Sequence, residues 1–200
     1  MRRLVIEQTE MFPHFIGSWD IEPVTMCEDL VEFFEDNSAY HRIGQAGDGA
    51  QNDGVKKSTD MTIRPSDVSL SSHVTVRTYI DSLFACYKDY LTIWPFLGQT
   101  LPEVEIGSFN IQRYHTGEHF QRVHAERHSI YTLHRVLAWM TYLNDVEDGG
   151  ATFFPHYDLK IKPERGKTLI WPADWTHAHC GEVVGSGSKY VITGWMHFPT

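Results

Sequence analysis

From Pro102 to the end, short alternating or apolar runs follow one another with turns but no helical pattern between them. This constrains the fold more than any other feature of the chain. "SFNIQRY" alternates, with Phe109 and Ile111 on one side and Asn110, Gln112 and Tyr114 on the other. "RVLAWMTYLN" reads as a longer apolar strand, and "EDGGATFF" as a Gly-Gly turn into another. "LKIKPERGKTLIWP" reads as strand, turn, strand, with Pro163 and Gly166 in the turn, and "KYVITGWMHF" as the last strand. Short strands at close spacing without intervening helices argue for a sandwich or barrel.

Before Pro102 two segments read as helices. In "TMCEDLVEFFED", Thr25 and Glu28 have the spacing of a capping box, and Met26, Leu30, Phe33 and Phe34 follow helical spacing. In "TYIDSLFACYKDYLTIW", Ile80, Leu83, Phe84, Tyr87, Leu91 and Trp94 fall on one face, and Pro95 ends the run. Both are expected to pack against a sheet. The expected architecture is therefore α+β: a double-stranded β-helix (jelly-roll) core with N-terminal helices packed on one sheet. We expect a single domain over 1–200, with a helical part over 1–101 and the β core over 102–200. Between the helices, residues 44–60 ("GQAGDGAQNDGVKKSTD") hold four glycines and lack the GK[ST] ending of a phosphate loop. The segment reads either as a lid or as a plain loop.

Composition narrows the function. The net charge is -9, and the 17 Lys and Arg are scattered, with no more than two adjacent, as at Arg2-Arg3 and Lys56-Lys57. Such a chain is a poor partner for nucleic acid or for an anionic membrane surface. No apolar run approaches the ~20 residues of a membrane span, and the N-terminal "LVI" is too short for a signal-peptide core. Cys27, Cys86 and Cys180 are far apart and include no CxxC pair, which argues against a structural zinc or a disulfide framework. A cytoplasmic setting is expected, the host cytoplasm if the chain is viral.

The segment "YHTGEHFQRVHAERHS" crowds four histidines and two glutamates into residues 114–129. Within it, His124 and Glu126 are two apart, so on an extended strand they point the same way and can reach one ion. Downstream, "WPADWTHAHCG" offers His177 and His179. Two histidines and one carboxylate on one face of an ion leave three positions open, which suits non-haem Fe(II). The bland reading is that these are ordinary turn histidines. Lys189 opens the last strand and shares a face with Val191, Thr193 and Trp195. A lysine in a core-facing row needs an anionic partner, and a dicarboxylate could supply one. The bland reading there is a solvated edge lysine.

Tyr114, Gly117, Phe120, His124 and Glu126 are followed by "YLNDVEDGGATFF", "GKTLIWPADWTHAH" and "KYVITGW". In that order and spacing, over nearly half the chain, they resemble the 2-oxoglutarate- and Fe(II)-dependent dioxygenases of the prolyl 4-hydroxylase branch. The likeness is to the type found in phage and marine microbial genomes. It implies that His124, Glu126 and His179 ligate Fe(II). His179 is preferred because it stands ten residues before Lys189, the family's distance, with His177 as the alternative. It implies that Lys189 pairs with the distal carboxylate of 2-oxoglutarate. Tyr114, Tyr142 and Thr193 would hydrogen-bond that co-substrate, and Trp195 would close the far wall. The implied cofactors are Fe(II), 2-oxoglutarate and O₂, with ascorbate, which the family often uses to rescue oxidised iron, as a further candidate.

Two departures stand out. Glu126 replaces the family's usual Asp, so its oxygen must approach from a retracted backbone or another rotamer. Phe120 and His124 are four positions apart where the family has three, which suggests a locally different strand or a bulge.

The resemblance implies hydroxylation of an unactivated C–H, with a peptidyl proline as the first candidate substrate and a free amino acid or other small molecule as the alternative. A polyproline-type peptide needs an aromatic groove, and Trp139, Trp171, Trp175 and Tyr131 either line one or belong to the core. The chain is expected to act as a monomer or homodimer. In a different class stand a non-catalytic cupin-like metal- or ligand-binding protein and a zinc hydrolase. Neither needs a carboxylate clamp such as Lys189 with Thr193 on the last strand.

Overall fold

The structure is a computed structural model, and it describes residues 1–4, 14–46, 52–101 and 103–199. Alternation of side chains builds three layers. The strand of residues Ser188–His197 (β13) points Ile192 and Met196 one way and Lys189, Val191, Thr193 and Trp195 the other. The first set joins a core shared with helices Met26–Asp36 (α1) and Val74–Ile93 (α3), among Leu30, Phe34, Leu83, Trp139 and Ile170. The second set faces a smaller sheet across a core holding Tyr114, Tyr142, Phe154, Trp171 and Val191. Helices, large sheet and small sheet therefore stack as layers around two apolar seams, as a jelly roll with helices on one sheet requires.

In chain order the strands are Arg2–Leu4 (β1), Gly17–Asp20 (β2), Arg42–Ile43 (β3), Thr59–Ile63 (β4), Glu105–Ile106 (β5), Phe109–His115 (β6) and Phe120–His124 (β7). Then come Arg135–Tyr142 (β8), Thr152–Phe154 (β9), Leu159–Ile161 (β10), Lys167–Pro172 (β11), His179–Gly181 (β12) and β13. Pro65–Val68 (α2) and Pro95–Thr100 (α4) flank α3. Among the described residues, the large sheet runs β1-β2-β11-β8-β13-β6-β4-β3, with β5 also on β13, and the small sheet runs β10-β9-β12-β7. The strand pairings among the described residues are antiparallel. No helix among the described residues is long and apolar enough to cross a membrane.

Several local expectations are corrected. The part before Pro102 is not only helical, because β2 and β4 extend the large sheet at two of its sides. Residues 159–172 do run strand, turn, strand, but the two strands lie in different sheets: β10 pairs with β9 in the small sheet, whereas β11 pairs with β8 and β2 in the large one. The capping box at Thr25 does not form, since Thr25 is already helical (φ -59, ψ -26) and its side chain makes no cap bond. The buried face of α3 is rotated from the expected one and consists of Val76, Tyr79, Leu83, Cys86, Tyr87 and Tyr90. Tyr79 turns inward because its hydroxyl finds Thr141 Oγ1 at 2.8 Å, in a buried chain that continues to Thr168. The expected loop over 44–60 ends early, with β4 starting at Thr59 and Lys57 bridging to His119; residues 47–51 lie outside the described residues.

Candidate metal centre and cavity

Both arms of the expected triad lie on the small sheet. His124 ends β7, His179 opens β12, and the two are register partners. Their ring centroids are 4.5 Å apart. Each ring is oriented by its own backbone: His124 Nδ1 donates to Arg122 O at 2.8 Å and His179 Nδ1 donates to His177 O at 3.0 Å. A carbonyl can only accept, so Nδ1 carries a proton and Nε2 is the nitrogen left to face a metal. Glu126, two residues past His124, places Oε1 3.6 Å from His124 Nε2 and 3.3 Å from His179 Nε2. The three ligand atoms lie within 4.8 Å of one another, and theirs is the metal-ligand cluster found among the described residues.

The bulge expected on the Phe120 side is present. His179 pairs with His124 and Gly181 with Phe120, so four steps on β7 run against two on β12. Phe120 stacks on the His124 ring at 4.0 Å and 15°, which fixes the plane of that imidazole.

The second carboxylate oxygen of Glu126 is occupied elsewhere. Trp195 Nε1 donates to Glu126 Oε2 at 2.7 Å, and Arg135 Nη1 donates to the Glu126 carbonyl at 3.0 Å. Burial alone would raise the Glu126 carboxyl. Its contacts with His124 and His179 outweigh burial and hold it well below the ordinary carboxylate range. The group is thus an anion, as a metal ligand must be.

The trio opens onto a cavity of about 490 Å³, and Lys189 lines the same cavity. Only 4% of Lys189 is exposed. Its Nζ donates to Gly150 O at 2.9 Å and lies 4.6 Å from the centre of the Tyr114 ring. Burial pulls its ammonium down to about 8, and Glu182 offsets a part of that. A buried ammonium with one carbonyl partner is a poor ending for a folded chain but a good receptor for a carboxylate.

The other expected co-substrate contacts divide. Tyr114 and Thr193 line the cavity, although Tyr114 donates its hydroxyl to Gln112 Oε1 at 2.7 Å and Thr193 donates to Trp139 O at 2.8 Å. Tyr142 is placed away from the cavity wall. It is fully buried and donates to Thr152 Oγ1 at 2.6 Å, so it props up a cavity residue. Trp195 lines the cavity next to Glu126. The alternative ligand His177 points away from the trio: its ring is buried, donates through Nε2 to His14 O at 2.8 Å and meets Tyr157. Of the crowded histidines, His115 bonds Ser188, His119 bridges to Lys57, and His128 reaches the cavity wall. The four aromatics proposed for a groove scatter. Trp171 lines the cavity and meets His179 edge-on, Trp139 is core, and Trp175 and Tyr131 are exposed.

Sequence reasoning missed Arg135 and the Lys56–Asp60 pair. Lys56 is buried on the cavity wall with Nζ 2.5 Å from Asp60 Oδ2, and Ser58 and Gln112 donate to the same carboxylate. The only signal was the basic pair Lys56-Lys57 at the end of the Gly-rich segment.

The donor set fits a divalent transition metal: two imidazole Nε2 atoms with fixed tautomers, one ionised carboxylate, and an open cavity on the remaining side. A family model described as the 2OG-Fe(II) oxygenase superfamily matches residues 109–197. Among curated relatives, probable prolyl 4-hydroxylase 9 of Arabidopsis thaliana is 30% identical over 122 residues, 48% of this chain and 42% of the relative. The human prolyl 4-hydroxylase subunit alpha-1 is 32% identical over 73 residues, 33% of this chain and 14% of the relative. The chain thus spans less than half the length of these relatives. Among solved structures, the viral collagen prolyl hydroxylase of Paramecium Bursaria Chlorella virus-1 in its 2OG complex superposes with a TM-score of 0.67 at 17% identity, covering 94% of this chain and 98% of that one. A prolyl hydroxylase from Trichoplax adhaerens gives 0.72 at 14% identity, over 93% and 84%. At these identities the likeness is one of fold. The matched residues take in His124, Glu126, His179 and Lys189, so the trio and the buried lysine lie within the stretch that matches the 2OG-Fe(II) oxygenase superfamily.

Proposed function

We propose that the protein is an Fe(II)- and 2-oxoglutarate-dependent dioxygenase that hydroxylates an unactivated C–H bond, with a peptidyl proline as the substrate class. The observation that carries this reading is that the His124–Glu126–His179 trio and the buried Lys189 face one cavity. A bare metal-binding module or a hydrolase has no use for that lysine. His124, Glu126 and His179 would hold Fe(II), and the prolyl 4-hydroxylase relatives support the substrate class. When bound, Fe(II) with 2-oxoglutarate and O₂ supplies the oxidative decarboxylation to succinate and CO₂ that drives hydroxylation.

The chain's own residues do the positioning. Lys189 receives the distal carboxylate of 2-oxoglutarate, and the low polarity around it makes that pairing strong. Arg122 O and His177 O keep the two imidazoles in the ligating tautomer. Trp171, Phe154 and Phe120 pack against the ligand histidines and limit water there. Ascorbate as reductant belongs to this reading as a requirement to be measured.

A second reading, hydroxylation of a free amino acid or other small molecule, is favoured by the polar wall of Asp60, Asn110, Gln112 and Lys56. One experiment separates the two. Proline-rich peptides and free amino acids are incubated with Fe(II), 2-oxoglutarate and O₂ and read for succinate and a mass gain of one oxygen. The gain is expected on the peptides. A gain confined to free amino acids selects the second reading, and no succinate with any of them removes both.

A further inference from the structure

Glu126 is one methylene longer than the aspartate the family usually carries, and a longer carboxylate has more ways to sit. Left free, it can turn both oxygens onto the metal, or turn away. Here the two oxygens have separate tasks. Oε1 faces His124 and His179 at 3.6 and 3.3 Å, and Oε2 accepts from Trp195 Nε1 at 2.7 Å.

Trp195 is itself held. It pairs with Ala138 in the sheet, and the Arg135 guanidinium lies over its ring, 3.6 Å from the centroid. Arg135 also donates to the Glu126 carbonyl at 3.0 Å and comes within 3.8 Å of Oε2. It reaches this place through an irregularity in the sheet. Met196 pairs with Leu137 and His197 with Arg135, which leaves Val136 without a register partner on β13. Strict alternation would aim Arg135 with Leu137 and Trp139 at the helices; the bulge re-aims it. Backbone and carboxylate of Glu126 are therefore gripped by one two-residue unit.

We infer that Trp195 and Arg135 form a clamp that holds Glu126 as a one-oxygen metal ligand and so keeps a coordination position open. This rests on the proposed reading of His124, Glu126 and His179 as metal ligands. Neither clamp residue touches the metal position; both are positioning residues acting through Glu126. The clamp also explains how a glutamate serves where a shorter aspartate is usual: the extra length is taken up by the bond to the indole.

The probe is Co(II) alone, titrated without O₂ or 2-oxoglutarate into the unsubstituted chain, Trp195→Phe and Arg135→Gln. The readouts are affinity and the visible bands of Co(II), with circular dichroism as the check on folding. Trp195→Phe keeps the ring and removes only the donor. It is expected to weaken Co(II) about 10-fold or more, as loss of an outer hydrogen bond to a ligand does, and to change the bands as Oε2 is released to the metal. Arg135→Gln is expected to shift both in the same direction by less. Equal affinity and unchanged bands in a folded Trp195→Phe overturn the clamp. Should that variant not fold, the indole N–H of Trp195 in the unsubstituted chain is read by ¹⁵N NMR. Slow solvent exchange and a shift on adding Zn(II) support the clamp, and fast exchange with no shift overturns it. If the unsubstituted chain takes up no Co(II), or His179→Ala takes it up equally, the metal reading fails and the clamp falls with it.

Discussion

His124 and His179 face each other across the β7–β12 pair, and each is held in the same way, by an Nδ1–H bond to the carbonyl two residues before it. The site therefore presents two Nε2 atoms already turned toward one point, at no further cost in ring orientation. A metal that binds the folded but not the unfolded chain stabilises it by about 2.7 kcal/mol at 100 times its dissociation constant. Mn(II) at that excess is expected to raise the melting temperature, and a chelator to reverse the gain. Glu126→Gln, which keeps the shape but not the charge, should lose the effect. Equal stabilisation of Glu126→Gln would count against the trio as the binding place.

Lys189 sits buried with its ammonium on a single carbonyl. Lys189→Met is expected to weaken 2-oxoglutarate by about 10-fold to 100-fold while leaving metal affinity unchanged, because a charge-assisted bond contributes roughly 1.5–3 kcal/mol. Without co-substrate the same variant should be more stable by about 1–3 kcal/mol, since an imperfectly paired buried charge is removed. The pH dependence follows. The folded value near 8 lies below the ordinary lysine value of 10.5, so the unfolded chain binds more protons between them. Stability should rise with pH from about 8 to 10.5, and the rise should vanish in Lys189→Met. Isothermal titration and urea melts across that range check both parts.

His197 gives a second pH window, away from the metal trio. Burial first, then the charges of His134 and Arg135, bring it down to about 4 from 6.5. Its ring lies 4.4 Å from that of His134, and its Nε2 is buried without a partner. The unfolded chain takes up this proton at higher pH than the folded one. The contribution is intact above about 6.5 and is lost as the pH falls towards 4. His197→Asn should flatten the stability profile over that interval; an unchanged slope in urea melts would contradict the assignment.

Gly149 and Gly150 turn the chain into β9 with φ of +72° and +68°. A Cβ on Gly149 would stand 2.1 Å from Val183 O, a backbone atom that cannot move aside as a side chain tip does. Gly149→Ala should therefore cost more than the roughly 1 kcal/mol of an ordinary left-handed penalty. Because Gly150 O is the partner of Lys189, 2-oxoglutarate binding should weaken alongside. A thermal melt within 1 °C of the unsubstituted chain would argue against this reading of the turn.

The sequence made the β core and the trio legible for different reasons. Val191, Thr193 and Trp195 alternate from Lys189 without interruption, so parity assigned their face correctly. His124 and Glu126 share a direction by the same rule, and the distance to Lys189 picked out His179, which the structure sets on the trio while it turns His177 to His14. The failures occur where parity is broken or too short to read. Arg135 changes face at a bulge that only the register with His197 reveals. β2 is "GSWD", four residues with one large apolar side chain, and β10 is three residues long, so neither has a readable period. Tyr142 alternates correctly toward the inner side, but its hydroxyl is taken by Thr152 and Ile161, and hydroxyl partners are set by neighbours distant in sequence. The inward face of α3 follows Tyr79 and its threonine chain, a polar reason that a count of apolar spacing does not weigh.

The most direct test of the central claim is the visible spectrum of the chain with Fe(II) and 2-oxoglutarate under anaerobic conditions. A weak metal-to-ligand charge-transfer band is expected in the unsubstituted protein. The band should be absent in His179→Ala, retained in His177→Ala, and should require a higher 2-oxoglutarate concentration in Lys189→Met. No band in the unsubstituted protein, or a band that survives His179→Ala, would contradict the account.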